Sequence, residues 1–271
     1  MKSGLVSVSF RQKTPLEICA LCRKANLSAV EWGGDVHCPP EADAAAIRAM
    51  TLDHGLEISS YGSYYRVGQS LDAFKANLET AVRLGAPVMR VWGGLHASRD
   101  MSETERAETV ETLIKCASLA GAANVTLTLE YHGGTLTDSL SSAERLLTET
   151  TCADNLRFYW QPRWDWREEE RLASLADVSS RLSHLHVFTW TGAGERLPLQ
   201  AGEAMWRKVF SQVHGTRGAD DLARVADRVH GVLDAADVGV LGSEGGNELG
   251  REVGAGTSRE VVENDRELRG L

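Results

Sequence analysis

VTLTLEYHGGTLTDSLSSAERLLTE, residues 125–149, holds one complete unit of the fold. Apolar and polar residues alternate from Val125 to His132, so Thr126, Thr128, Glu130 and His132 share one face of a β-strand. A glycine-bearing turn follows, and from Ser139 to Glu149 the periodicity becomes helical. A strand running straight into a helix is the repeat from which parallel sheets are built. The same change of period recurs outward in both directions. Strands are predicted over Gly4 to Phe10, Ala29 to Gly33, Glu57 to Gly62, Val88 to Gly93, Leu156 to Gln161 and His184 to Trp190. Helices are predicted over Pro15 to Ala25, Ala42 to His54, Leu71 to Leu84, Glu103 to Gly121, Glu168 to Leu175 and Glu203 to Val213. Thr14, Pro15 and Glu17 read as a capping box with proline at the first helical position, and Gly55 and Gly85 as helix stops. The linkers are short, and 271 residues suit one barrel of about 250 residues. The chain therefore reads as α/β, a single (β/α)8 barrel over 1–271.

The eighth βα unit is atypical. Residues 214–257 carry Leu222, Val225, Ala226, Val229 and Leu233 at helical spacing, then the glycine-rich VGVLGSEGGNELGREVGAG. Val238 to Glu244 is the candidate for strand eight, with Val238, Val240, Gly242 and Glu244 alternating onto one face, although glycines weaken a strand. Thr257 with Glu260 would cap a last helix that buries Val261, Val262 and Leu268. The stretch reads as an irregular insertion or the product of an altered reading frame.

Composition excludes several classes of function. Apolar residues at 42% and charged residues at 25% are soluble globular values, and no apolar run approaches the roughly 18 residues that span a bilayer. The opening MKSGLVSVSF has no long apolar run before a cleavage site, so the expected compartment is the cytoplasm, with no membrane partner. A net charge of −9 repels phosphate backbones and argues against nucleic acid. Five cysteines are an odd number for a disulfide framework, and the Cys19 and Cys22 pair falls within a helix where small apolar side chains pack. Homo-oligomerisation is left open.

In a barrel of this kind the active site gathers at the C-terminal ends of the strands. Strand two runs into Glu31, Trp32, Asp35 and His37, strand three into Tyr61, Tyr64, Tyr65 and Arg66, and strand four into Trp92. Strand five ends LTLEYH, strand six YWQP and strand seven HLHVFTW. An unpaired buried glutamate costs several kcal/mol or more, so Glu130 needs a cation: either a metal ion or a basic side chain such as Arg90. His186, nearer the mouth than His184, reads either as a hydrogen-bonded core residue or, beside Glu130, as a ligand of a hard divalent ion. Gln161 could ligate a metal, bind a substrate hydroxyl or cap local backbone. Trp32, Trp92, Trp164 and Trp190 could pack, or could stack on a sugar ring.

VEWGGDVHCPP (30–40), SSYGSYYRVG (59–68), LEYHGGTLTDS (129–139), YWQPRW (159–164) and HLHVFTWTGAGERLPLQAGEAMW (184–206), in this order, resemble the xylose-isomerase-like TIM-barrel superfamily. That group includes sugar isomerases, ketose 3-epimerases and inosose dehydratases. The resemblance implies a TIM barrel that uses a divalent ion (manganese, magnesium, cobalt or zinc) to isomerise or epimerise a small sugar-like substrate. It places Glu130, Gln161 and His186 at three of four metal-ligand positions and matches Arg196 to a substrate-binding arginine. The fourth ligand would be a strand-eight carboxylate, Glu244 or alternatively Asp234, with Glu130 and Glu244 sharing acid and base duty beside a carbonyl to form an enediolate; otherwise the site keeps three protein ligands, of which only Glu130 is anionic. Trp32, His37, Tyr65, Trp92, His132, Trp164, Trp190 and Arg196 complete the expected substrate-binding set. Two departures stand out: glutamine where strand six commonly supplies aspartate, and no LLEFV-like strand eight. The rival readings are an inosose-type dehydratase and a non-catalytic sugar-binding barrel. An abasic-site endonuclease of the same fold would need a many-histidine zinc cluster and a basic face that this sequence lacks.

Overall fold

The computed structural model describes residues 2–215 and 230–233. Strands form where short β-rich runs are buried on both faces, as parallel strands require. They are β1 (Lys2–Val6), β2 (Ala29–Gly33), β3 (Glu57–Arg66), β4 (Val88–Trp92), β5 (Thr126–Glu130), β6 (Leu156–Trp160) and β7 (Leu182–Val187). Between them run α1 (Pro15–Lys24), α2 (Ala44–Asp53), α3 (Leu71–Leu84), α4 (Glu103–Ala122), α5 (Leu140–Glu149) and α6 (Glu168–Val178). After β7 come a small antiparallel hairpin, β8 (Thr189–Trp190) with β9 (Arg196–Leu197), then α7 (Glu203–Gly215) and β10 (His230–Leu233). The Thr14 capping box is present, and Gly85 ends α3 at φ 74°, where a Cβ would be strained.

The barrel closes in the order β1-β10-β7-β6-β5-β4-β3-β2, each neighbouring pair parallel. Two expectations need correction. The first strand stops at Val6, and Ser7–Phe10 forms a 3-10 turn. There the buried Ser7 Oγ accepts the Gly33 N–H at 2.9 Å and draws the chain over the end of β2. The eighth strand is His230–Leu233, with Lys2 opposite His230 and His184 opposite His230 on the other side. Helical spacing had assigned Leu233 to a helix, and alternation had made Val238 to Glu244 the candidate strand. The open edges of β1 and β7 need backbone partners, and that pairing outweighs a local period. Asp234, Val238 to Glu244 and the helix from Thr257 lie outside the described residues.

Apolar residues fill the layer between sheet and helices, among them Ile18, Phe74, Leu78, Leu113, Leu146, Leu175 and Val209, each contributing about 1.5–3 kcal/mol on burial when leucine-sized or larger. Cys19 and Cys22 are free thiols in this layer, and burial pushes the Cys22 thiol up to about 12, so the pair is packing rather than redox chemistry. Among the described residues no helix is long and apolar enough to cross a membrane.

Candidate active site

Alternation sends Glu31, Arg90, Glu130, Tyr159, His184 and His186 to the same side of the sheet as one another. Glu31 on β2 touches Tyr159 on β6 and His186 on β7, strands that are not neighbours, so these side chains meet inside the barrel. Arg90 is the hub. Its Nε donates to Glu31 Oε1 at 3.0 Å and its Nη1 to Glu130 Oε2, all three side chains being buried. Gly62 makes room for the pair, since a Cβ there would fall 2.6 Å from the guanidinium and 2.8 Å from Glu31 Oε1. Glu31 Oε2 also accepts from Ser60 Oγ at 3.0 Å and from the Tyr159 hydroxyl. Burial alone would raise both glutamates, but Arg90 and His186 overcome it, holding Glu31 far below the usual carboxylate range and Glu130 down to about 2. The basic-side-chain reading of Glu130 is thus met by Arg90.

Glu130 keeps one oxygen for other work. Its Oε2 serves Arg90 and the Trp92 indole N–H, while Oε1 lies 3.3 Å from His186 Nδ1. Gln161 Nε2 donates to the Tyr131 carbonyl at 2.7 Å, which fixes the amide flip and turns Oε1 toward His186 Nδ1 at 3.0 Å. His186 Nε2 lies 3.4 Å from Glu31 Oε2, an ion-pair distance without hydrogen-bond geometry. Burial opposes a charge on His186, yet Glu31 and Glu130 raise its pKa above the ordinary imidazole value.

Two ligands at right angles on an ion with bonds of about 2.1 Å stand about 3.0 Å apart. The 3.0 and 3.3 Å spacings around Nδ1 therefore fit a divalent ion held by Glu130, Gln161 and His186. Among the described residues no three His, Cys, Asp or Glu side chains gather in metal-binding geometry, so the fit depends on the Gln161 carbonyl.

Aromatic and basic groups form the rim. Trp92, half-buried at the end of β4, lies against His132 with centroids 4.6 Å apart. His132 Nδ1 is 2.7 Å from the Gly133 carbonyl, which can only accept, so Nδ1 carries the proton and neutral His132 has its lone pair on Nε2. Tyr64 sits at φ 55°, uncommon for an aromatic residue, where β3 slips register. Its ring lies 5.4 Å from the Arg90 guanidinium and edge-on to Trp92 at 5.2 Å. Arg66 ties the loops after β3, β4 and β5 together by donating to the carbonyls of Gly94 at 3.0 Å and Gly134 at 2.5 Å.

The predicted pocket set divides. Trp92 and His132 join Glu130, Gln161 and His186. Trp164, Trp190 and Arg196 form a second group in the loops after β6 and β7: Arg196 stacks on Trp190 at 4.5 Å, and Trp164 packs beside Gly194 of the hairpin. Trp32, His37 and Tyr65 are corrections. Trp32 alternates to the side opposite Glu31 and donates to Thr51 Oγ1 of α2 at 3.1 Å, in the packed layer outside the barrel. Both His37 ring nitrogens are taken, by Ser7 Oγ and the Lys13 carbonyl, each at 3.0 Å. Tyr65 packs on Phe74 of α3 and donates to the Gln69 carbonyl. Glu244 lies outside the described residues. Sequence reading passed over Tyr159 and Ser60, although Tyr159 shares the parity of Gln161, and it gave Glu31 and Tyr64 no role.

A family model described as xylose isomerase-like TIM barrel matches residues 19–229. A 3-dehydroshikimate dehydratase of Bacillus anthracis is 27% identical over 193 residues, covering 60% of this chain and 67% of the relative. Among solved structures, the probable 3-DHS dehydratase of petrobactin synthesis from Bacillus anthracis aligns with TM-score 0.72 at 20% identity, covering 90% of this chain and 97% of the other. A 3-keto-D-glucoside 4-epimerase from E. coli aligns with TM-score 0.65 at 16% identity, covering 90% and 97%. The D-psicose 3-epimerase of Clostridium cellulolyticum H10 aligns with TM-score 0.61 at 14% identity, covering 99% of each chain. At these identities the structural matches speak to fold.

Proposed function

Because this chain belongs to the xylose isomerase-like TIM-barrel family, which holds sugar-modifying enzymes, we propose that it removes a proton next to a carbonyl of a small sugar-like substrate and then expels water. His132 carries this reading. Its Nδ1 contact with the Gly133 carbonyl leaves the Nε2 lone pair available as a base at the mouth, beside the Trp92 ring that donates to Glu130. Glu31 is fully buried and accepts from Arg90, Ser60 and Tyr159, which leaves it unsuited to carry a substrate proton. One base that takes the proton and returns it to a departing hydroxide on the same face is enough for dehydration. Glu130, Gln161 and His186 would hold a divalent ion, which when bound supplies Lewis acidity toward the substrate carbonyl and, counted over the described residues, leaves the site's charge positive with Glu31, Glu130 and Arg90. A site of that charge favours a substrate with a carboxylate, and the curated relative is a 3-dehydroshikimate dehydratase.

Epimerisation is the second reading, favoured by Glu130 Oε1, which Arg90 leaves free to act as a second proton carrier. Incubation in D2O with manganese and a panel of 3-dehydroshikimate, an inosose and ketoses, followed by NMR, separates the two. Dehydration predicts loss of water with the hydrogen gone from the carbon next to the carbonyl; epimerisation predicts an inverted centre that carries deuterium, with no water lost. Ligand-induced thermal stabilisation with neither exchange nor turnover would leave a sugar-binding barrel and remove both.

A further inference from the structure

We infer that Glu31 is a positioning residue, supplying from behind His186 a second negative charge to a metal-binding set in which, among the described residues, only Glu130 is anionic. The inference rests on the ligand set proposed above and deepens it. Of Glu130, Gln161 and His186 only Glu130 is anionic, and one of its oxygens is taken by Arg90. Gln161 adds a dipole and no charge, its orientation set by the Tyr131 carbonyl. Glu31 is fully buried, and its Oε2 faces the ring edge of His186 away from Gln161, 3.4 Å from Nε2. Ser60 and Tyr159, both donating to Oε2, hold it in that direction. For His186 to offer the Nδ1 lone pair to an ion, its proton must reside on Nε2. As the side chains stand, Nδ1 faces the Gln161 carbonyl oxygen and Nε2 makes no hydrogen bond. With an ion on Nδ1 the proton would move to Nε2, where the Glu31 charge 3.4 Å away would stabilise it and make the imidazole a stronger donor, the relation in which outer carboxylates typically change metal affinity about 10- to 100-fold.

Calorimetric titration of the metal-free protein with manganese tests this. Glu31→Gln, in folded protein verified by circular dichroism, should bind manganese about 10- to 100-fold more weakly than wild type. Gln161→Asp, which puts a charge directly on the ion, should recover more affinity in the Glu31→Gln background than it adds to wild type. Glu31→Asp serves where Glu31→Gln does not fold: it keeps a buried carboxylate for Arg90 but draws it back from His186, and should also bind more weakly. A role confined to stability would lower the melting temperature of these variants and leave their manganese affinity unchanged. Unchanged affinity in either Glu31 variant, or equal gains from Gln161→Asp in both backgrounds, overturns the inference while the ligand set stands. Wild-type protein that binds no manganese overturns both.

Discussion

Arg90→Met removes the one arginine shared by the two buried glutamates while keeping a side chain of similar length. The Arg90 side chain is 4% exposed, Glu31 0% and Glu130 6%, so neither carboxylate can turn to solvent for compensation. Breaking a buried ion pair from one side costs about 3–5 kcal/mol. At about 2–4 °C per kcal/mol for a domain near this size, the melting temperature at pH 7 should fall by about 6–20 °C. The pH dependence should also change sign. In wild type the depressed carboxyls contribute stability above their unfolded value, about 4.3, and lose it as the pH falls through their folded values. Without Arg90, burial lifts the carboxyls above the unfolded value, so their contribution is present in acid and lost as the pH rises through the lifted range. Melting curves by circular dichroism at pH 5, 6, 7 and 8 should therefore show the variant furthest below wild type at pH 7 to 8, with the gap narrowing toward pH 5. A gap under about 1 kcal/mol at pH 7, or one constant from pH 5 to 8, would refute the account of Arg90 as the hub.

Three further outcomes follow from the same geometry. Gly62→Ala places a methyl group 2.6 Å from the Arg90 guanidinium and should cost about 1–3 kcal/mol in wild type but less in the Arg90→Met background; equal costs by thermal melts would separate Gly62 from the ion pair. His132→Asn should lower turnover about 10²- to 10⁴-fold with manganese affinity unchanged, whereas full activity would move the base elsewhere. In a thiol-reagent assay native protein should yield about one fast equivalent, from the exposed Cys152, and the other four cysteines only after unfolding. Fast loss of Cys19 and Cys22 together would reopen the redox reading of that pair.

The seven legible βα units were readable because each carries its signal locally, in a period that changes from two to helical within about 25 residues, as at 125–149. Alternation likewise put Glu130 and His186 on inward faces, since parity along a strand needs no knowledge of the partner strand. The same parity sends Trp32 outward, and taking every aromatic residue near a strand end as pocket lining overrode it. Strand eight was not legible: His230–Leu233 fits a helical repeat, and its state depends on the β1 and β7 edges between which it pairs. The union of Glu31, Arg90, Glu130, Tyr159 and His186 carries no spacing rule either. These residues are far apart along the chain and lie on strands that are not all neighbours, so they meet because a closed sheet forces its inward side chains onto one axis. Once desolvated there, opposite charges must pair, and which glutamate takes which donor is a property of distances across the barrel. Residue types and their parity were thus written in the sequence, whereas the sharing of Arg90 between Glu31 and Glu130, and the oxygen left facing His186, were decided by closure of the barrel.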